Sequence, residues 1–573
     1  MSIKSNIIIK TIIAIGKILP KEFKKRSYLV LFLLLFNSIL ELFGLATLIP
    51  IFALLFKDNT IHENSVLLSI YNYFGFDSDE KFIIVLSAVM LSIVVLKNII
   101  SLMISYYQSK FSYDVMGYLT IRLHRLFYAK GYLYLKSINS TEFYRNSATI
   151  PERFAHTILF GTLTLVNELI ILIFIVLAIF FYNPTVVLLL IFTVTPVFTI
   201  FYALTKERLK SYGEEINALQ PKLSSTIFQS FFGYQDIEIT GTAERFSDRL
   251  SKFVSTYKDI SAKKIVLQLM PTKIIESSMV LAIFVVVVYG IYFLPDREAL
   301  LALLGIYILS AYRIIPSINR IMIAINGLIE TQYAFDIIGE LDRSEDICKK
   351  SISKEIEFKR EIAVKDISFR YPNMENDILN HFTLTIKRGE TLGIVGKSGN
   401  GKTTLMNILL GFLKPYRGLV TIDGVELNDS NMESWRSKIG YVAQDIFLLD
   451  ASFGENIAFG LDRDEIDMKK LSRVVSLASL DELVDTLPNG IDTNIGERGT
   501  RLSGGQRQRV GIARALYYDS EILFFDEATS SLDSETQRDI ANAITSLSHK
   551  GLTMIIITHR LSTLDGVDRI IEI

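Results

Sequence analysis

The sequence predicts a bundle of six membrane-spanning helices followed by an α/β domain built to hold nucleotide phosphates. Three observations carry that expectation. Six long apolar windows crowd the first 330 or so residues. After about residue 335, short apolar strands alternate with helical stretches, the pattern of a layered α/β domain. Residues 392–408 run from an apolar strand through a glycine-rich turn into a helix. At 573 residues the chain is too long for one core, and 50% hydrophobic residues with a mean hydropathy of +0.35 exceed what a soluble chain carries. A net charge of −1 supplies no field for nucleic acid, so none is expected as a partner. The single cysteine, Cys348, excludes an internal disulfide framework and cannot form a zinc site alone.

Residues 1–26 are basic, with Lys4, Lys10, Lys17, Lys21, Lys24, Lys25 and Arg26. The apolar run that follows is too long for a signal-peptide core, so no cleavable leader is expected. Residues 5–20 are read as an amphipathic helix on the inner membrane face. A bilayer core needs about 20 apolar residues in a helix. Windows near 27–56, 82–107, 157–182, 184–205, 264–294 and 299–328 meet that length within a membrane domain of 27–335. Asn183-Pro184 and Pro295-Asp296-Arg297-Glu298 make tight turns between neighbours. The long connections 108–156 and 206–263 hold most of the basic residues and are therefore assigned, with both termini, to the cytosolic side. Residues 67–76, apolar and aromatic but too short to span, belong either in the headgroup layer or as a cap on helix packing.

Charges inside these windows are few: Glu41, Lys97, Glu168, Lys273, Glu276, Arg313 and Arg320. An intramembrane charge costs several kcal/mol and normally faces a partner or a cavity. Arg313 and Arg320 are seven apart, so they share one helix face. Arg313 lies too deep to reach the outer side, whereas Arg320 either shares its partner or cavity or sits at the inner interface.

A polar linker over 336–360 leads into the domain at 361–573. There the strand Leu392–Val395 runs into Gly396, Lys397, Ser398, Gly399, Asn400, Gly401, Lys402, Thr403 and Thr404, and then a helix. The glycines let backbone amides wrap phosphates, and the helix start adds partial positive charge. Lys402 would neutralise the terminal phosphates, and Thr403 would offer its hydroxyl to Mg2+. A second buried strand, Ile522–Phe525, ends in Asp526, suited to the magnesium shell, and Glu527, suited to polarising an attacking water. Tyr371 is placed to stack on adenine, Gln444 to touch both Mg2+ and water, and His559 to reach the γ-phosphate. Ser530 to Asp533 follow the acid strand, and Asp533 is included in the nucleotide site by that position. The implied cofactors are ATP and Mg2+.

Between the two strands stand Leu502-Ser503-Gly504-Gly505-Gln506, which resemble the ABC signature. Six spans fused ahead of such a domain resemble the half-transporters among ABC exporters of type IV architecture. The resemblance implies a homodimer in a bacterial inner membrane, with the ATPase domain cytosolic. It also implies two ATP molecules, each held between one phosphate loop and the partner's Ser503, Gly504, Gly505 and Gln506. Glu497 resembles the segment by which exporters sense the membrane half, and contacts to it are expected around Phe143 and Phe231–Ile237. Within that family, Glu41-Leu42-Phe43-Gly44-Leu45-Ala46, the aromatic external segment and Tyr312-Arg313-Ile314-Ile315-Pro316-Ser317-Ile318-Asn319-Arg320 are similar to the lipid-linked oligosaccharide flippases of bacterial protein N-glycosylation. That narrower likeness implies a flippase for a lipid-linked glycan or related glycolipid, with Arg313 and Arg320 as the substrate-contacting residues that hold its pyrophosphate, since guanidinium suits phosphate oxygens. A general lipid, drug or peptide exporter is the alternative, and an ATP-gated channel a more distant one. The resemblance further implies another strand and a helix beyond Asp568–Ile573.

Overall fold

The computed structural model describes residues 7–47, 61, 65–182, 184–293, 297–343, 354–372, 374–397, 399–527, 551–559, 564 and 566–573. The chain divides into a helical unit, Met1–Lys130 with Leu135–Cys348, and a second unit, Gly131–Tyr134 with Lys349–Ile573.

The helical unit contains α1 (Ile7–Ile18), α2 (Lys21–Ala46), α3 (Ser65–Phe74), α4 (Asp79–Ala129), α5 (Phe160–Tyr182), α6 (Pro184–Phe232), α7 (Ala243–Phe293), α8 (Arg297–Glu330) and α9 (Ala334–Arg343). The helices begin where their sequence allows. Pro20 precedes α2 and Pro184 opens α6, positions where a missing N–H costs nothing. Ser78 caps α4 by accepting from the Lys81 N–H, with Asp79 and Glu80 complementing the helix dipole. Among the described residues, four stretches are long and apolar enough to cross a membrane, in α2, α4, α5 and α7. Their outward faces are bare apolar surface, as at Leu102, Phe181 and Phe284, which are 70%, 84% and 64% exposed. Each predicted window overlaps one of the long helices α2 and α4–α8, although residues 48–56 of the first window lie outside the described residues.

Three details refine the expectations for this unit. Helix α1 turns Thr11 and Ile15 inward and packs on α8 and α9, leaving Ile12 and Ile13 exposed. Helix α3 is amphipathic: Tyr71 and, just beyond the helix, Phe76 pack on Phe82, while Tyr73 and Phe74 stay exposed. The contacts to Phe82 at the start of α4 are those of a cap on helix packing. Two π-helical turns, Arg145–Thr149 and Phe154–Leu159, precede α5.

The second unit has two sheets. A four-stranded antiparallel sheet orders β2 (Leu379–Lys387), β1 (Glu361–Phe369), β4 (Arg417–Ile422) and β5 (Val425–Glu426). A five-stranded parallel sheet orders β6 (Ile439–Val442), β7 (Ile522–Asp526), β8 (Thr553–Ile557), β3 (Thr391–Val395) and β9 (Arg569–Glu572). Strands β7 and β8 are buried along their whole length, which is why their sequences are continuous apolar runs rather than alternating ones. Helix α10 (Lys402–Leu409) follows β3, and α11 (Gly504–Tyr517) precedes β7.

The linker is shorter than the predicted 336–360. Helix α9 extends to Arg343, and Ile356 and Phe358 are already buried in the core of the second unit. Asp423, in the β4–β5 turn, accepts from the backbone N–H of Lys359, Arg360 and Glu361 at 2.5–2.8 Å, which fastens the chain as it enters β1.

Candidate functional site

The parallel sheet places the glycine loop, Gln444, Asp526 with Glu527, and His559 at the carboxyl ends of β3, β6, β7 and β8, whereas Tyr371 follows β1 of the antiparallel sheet and Ser503–Gln506 open α11. After β3 the chain needs three left-handed glycines: φ is +150° at Gly396, +91° at Gly399 and +93° at Gly401. A side chain at Gly401 would stand about 3.0 Å from Ile378 and Leu379, so the loop is closed to larger residues by space as well as by backbone. Gly401 then starts α10, with its free N–H groups at the loop.

Lys402 is 5% exposed, and its ammonium donates to the carbonyls of Gly396 (2.8 Å) and Lys397 (3.0 Å). The cation thus folds over the loop that it would share with phosphates. Thr403 is exposed and Thr404 buried, with the Thr404 hydroxyl 3.4 Å from that of Tyr371. The Tyr371 ring stands edge-on to Phe369. Asn400 donates through Nδ2 to the carbonyl of Ile573. Beside the loop opens a cavity of about 610 Å3 lined by Ile378, Phe382, Gly399 and Asn400 among others, within the range of small-ligand pockets. Ser398 and Asp533 lie outside the described residues.

Across the sheet, Glu527 is the hub. Its Oε1 lies 2.8 Å from Nε2 of His559, and its Oε2 accepts from Nε2 of Gln444 at 3.4 Å. Gln444 and His559, which follow two other strands, therefore converge on the one carboxylate that ends β7. Glu527 adopts φ +48°, a strained conformation for a residue with a side chain, and such strain gathers at working sites. Asp526 is 6% exposed. Burial, and then the neighbouring charge of Glu527, holds its carboxyl above the usual range. The Tyr441 hydroxyl donates to it at 3.5 Å.

Among the described residues no group of three or more His, Cys, Asp or Glu could hold a metal unaided. The donor set nevertheless fits Mg2+, which takes few protein ligands and completes its shell with phosphate and water. A buried carboxylate with one long hydrogen bond and the exposed hydroxyl of Thr403 are hard oxygen donors of that kind.

The signature segment is organised as a helix start. Ser503 caps α11 through a reciprocal pair: its hydroxyl accepts from the Gln506 N–H, and its own N–H donates to the Gln506 side chain. The side-chain oxygen of Gln506 thereby shapes the glycine turn.

Four residues missed from the sequence matter here. Gln508 in α11 is buried and donates to the Gln444 carbonyl at 2.7 Å, tying the signature helix to the loop that reaches Glu527. Arg514 donates to the carbonyls of Asn456 and Phe447 beneath the Phe459 ring, and burial lowers its pKa to about 10. Tyr441 stands beside Asp526. Tyr132 stacks on Phe412 with ring centroids 5.5 Å apart, and it, rather than Phe143, belongs to the second unit. Phe143 packs edge-on against His124 in the helical unit. Only Tyr441 carried a local sign, since it stands three residues before Gln444 on a strand.

The substrate candidates are not isolated charges. Nε of Arg320 is 3.0 Å from Glu168, and Arg313 lies 3.7 Å from Glu41 and 4.0 Å from Glu168. Lys97 holds Glu41 at 2.9 Å. Lys273 and Glu276 form a separate exposed pair on α7.

Residues 379–530 match the family model described as ABC transporter. An ATP-dependent lipid A-core flippase of Ralstonia nicotianae (strain ATCC BAA-1114 / GMI1000) is 31% identical over 399 residues, covering 68% of this chain and 66% of that protein. The ATP-dependent lipid A-core flippase of Francisella tularensis subsp. tularensis (strain SCHU S4 / Schu 4) is 32% identical over 391 residues, covering 67% of this chain and 63% of its own. The match thus spans just under two thirds of these relatives. Among solved structures, a bacterial Atm1-family ABC exporter with ATP bound shares the fold at a TM-score of 0.75 and 20% identity, over 96% of this chain and 93% of that one.

Proposed function

The chain carries an ABC transporter domain on the fold of an ABC exporter half-transporter, and from that premise we propose that it is an ATP-driven lipid flippase. The observation that carries the proposal is the meeting of Gln444, Glu527 and His559 beside a glycine loop, in a chain whose other unit exposes long apolar helices. In this reading Lys402 leaves its loop carbonyls to meet the phosphates, and Glu527 takes the proton of the attacking water. His559 orients Glu527 and the γ-phosphate, and Gln444 reports site occupancy through Gln508 to α11. Mg2+, held by Thr403 and Asp526 with Gln444 alongside, would offset phosphate charge.

Six spans per chain, near the predicted windows, and a homodimer complete the unit, set in a bacterial inner membrane with the ATPase domain in the cytosol. The partner surface has a candidate in the tip between α6 and α7. Phe231, Tyr234 and Ile239 are 68%, 64% and 84% exposed there, more apolar surface than a water-facing tip usually leaves bare.

The relatives are named for lipid A-core, which favours a lipid substrate over the lipid-linked oligosaccharide of N-glycosylation. The shared chemistry is an amphiphile with an anionic head, to which Arg313 and Arg320 are suited. The test is ATP-dependent translocation in proteoliposomes of three labelled lipids: lipid A-core, a polyprenyl-pyrophosphate glycan and phosphatidylcholine. The expected result is transfer of lipid A-core in wild type, none in Glu527→Gln, and little transfer of phosphatidylcholine. Equal transfer of phosphatidylcholine would make this a general lipid exporter instead.

A further inference from the structure

Four helices of the first unit bring five ionisable side chains to one seam: Glu41 from α2, Lys97 from α4, Glu168 from α5, and Arg313 and Arg320 from α8. Gly44 lies where the Lys97 side chain reaches across to Glu41: a Cβ there would stand 2.7 Å from Cδ of Lys97, so a side chain at 44 would make the lysine shift. The seam holds three cations and two carboxylates, which leaves one positive charge in excess.

The pairing is uneven. Glu41 is committed to Lys97 at 2.9 Å and stands off from Arg313 at 3.7 Å. Glu168, 2% exposed, commits one oxygen to Arg320 at 3.0 Å. Its other oxygen reaches only to within 4.0 Å of Arg313 and has no hydrogen-bond partner. Nε of Arg313 and the hydroxyl of Ser317, both buried, also lack one. Residues 313, 317 and 320 follow one another on a single helix face. Unmet polar atoms of this kind cost free energy: the Arg313 N–H and the Ser317 hydroxyl can be met by an acceptor, while the Glu168 oxygen needs a donor. Arg313 is thus a buried guanidinium with an open place for an oxygen-rich anion, and Glu168 occupies the position between the two arginines.

We propose that Glu168 is a built-in competitor for the anionic head of the substrate. In the empty protein it neutralises Arg320 and screens Arg313. A phosphate-bearing head must displace it, and a neutral or zwitterionic head lacks the charge to do so. Glu168 is therefore a specificity-determining residue: it sets how much negative charge a lipid must carry to enter. This rests on the reading of Arg313 and Arg320 as the head-group site.

The test uses the full-length protein in nanodiscs of phosphatidylcholine doped with increasing phosphatidic acid. The readout is the phosphatidic acid fraction that half-maximally stimulates ATP hydrolysis. Glu168→Gln keeps the shape and removes the competing charge, and should lower that fraction about tenfold, equivalent to about 1.4 kcal/mol. Glu168→Asp keeps the charge but draws it back from Arg320, and should lower it two- to threefold, so a poorly folding Glu168→Gln still leaves a reading. An unchanged or raised fraction in the folded variants would make Glu168 a structural partner of Arg320 and overturn the inference. The double variant Arg313→Ala/Arg320→Ala separates this from the reading beneath it. If it abolishes stimulation while Glu168→Gln shifts nothing, only the competitor role fails. If stimulation survives the double variant, or if wild type is not stimulated, the anionic head-group site itself falls.

Discussion

Glu527 concentrates the chemistry of the second unit, because one carboxylate meets His559 and Gln444 from a strained backbone. Replacing it by glutamine keeps the shape, turns one of its two accepting oxygens into a donor and removes the proton acceptor. Phosphate release should slow at least ~100-fold, about 2.7 kcal/mol in barrier height, while ATP affinity is retained. Near-normal turnover would remove Glu527 from this role. Lys402→Ala acts earlier in the cycle. Without its ammonium the loop loses the counter-charge for phosphates, and a nucleotide-binding titration should show affinity reduced at least ~10-fold. The residue types at these positions were legible in the sequence, because a strand followed by glycines and then lysine has one physical use. The contacts Gln444–Glu527–His559 were legible only as an expectation. Their positions are 83 and 32 residues apart in the chain, and only the order of strands in the parallel sheet brings them together.

Elements were easier to place than their couplings. Buried strands show as apolar runs, so β3 and β7 were found within a residue of their bounds. The role of Tyr132 was not found, because a six-residue helical turn after Gly131 has no periodicity long enough to distinguish it. The linker was drawn too long for a related reason: Ile356 and Phe358 are two isolated apolar residues among polar ones, and only the core they enter shows their use. The turn at Asp423 yields a prediction at this scale. Burial alone would raise its carboxyl, yet three backbone N–H donors outweigh that and hold it below the usual range. A lowered folded-state pKa stabilises above the unfolded value, about 3.9, and that stability is lost as pH falls through the folded value. Asp423→Asn should therefore cost about 1–2 kcal/mol at pH 7, read as a lower midpoint of thermal unfolding in detergent. The gap to wild type should close as pH falls from the unfolded value through the lowered folded-state one. A constant gap across that range would show that the carboxylate charge contributes nothing.

For the whole molecule, the decisive expectation is that activity belongs to a pair of chains. Ser503→Arg places a bulky cation at the start of α11 without touching the phosphate loop, and a homodimer of it should lose hydrolysis while still binding ATP. Mixed with Lys402→Ala chains, it should recover at most the activity of one composite site per heterodimer, measured as a function of mixing ratio. Full hydrolysis by an isolated monomer would contradict the shared site. The membrane half was legible as a class, since long apolar windows have few other uses, and its rare charges were each visible. Their grouping was not: Glu41 and Glu168 looked like isolated costs, and the four helices that bring them to Lys97 and the arginines are distant in sequence.

That grouping carries a consequence for inheritance. The stem of Lys97 passes position 44 so closely that one added carbon would meet it at 2.7 Å. A larger residue there obliges the lysine side chain to shift, and its 2.9 Å hold on Glu41 shifts with it. Among descendants that keep the arginine pair, a bulky residue at 44 should therefore be found more often where position 97 or 41 has changed as well than where both are kept.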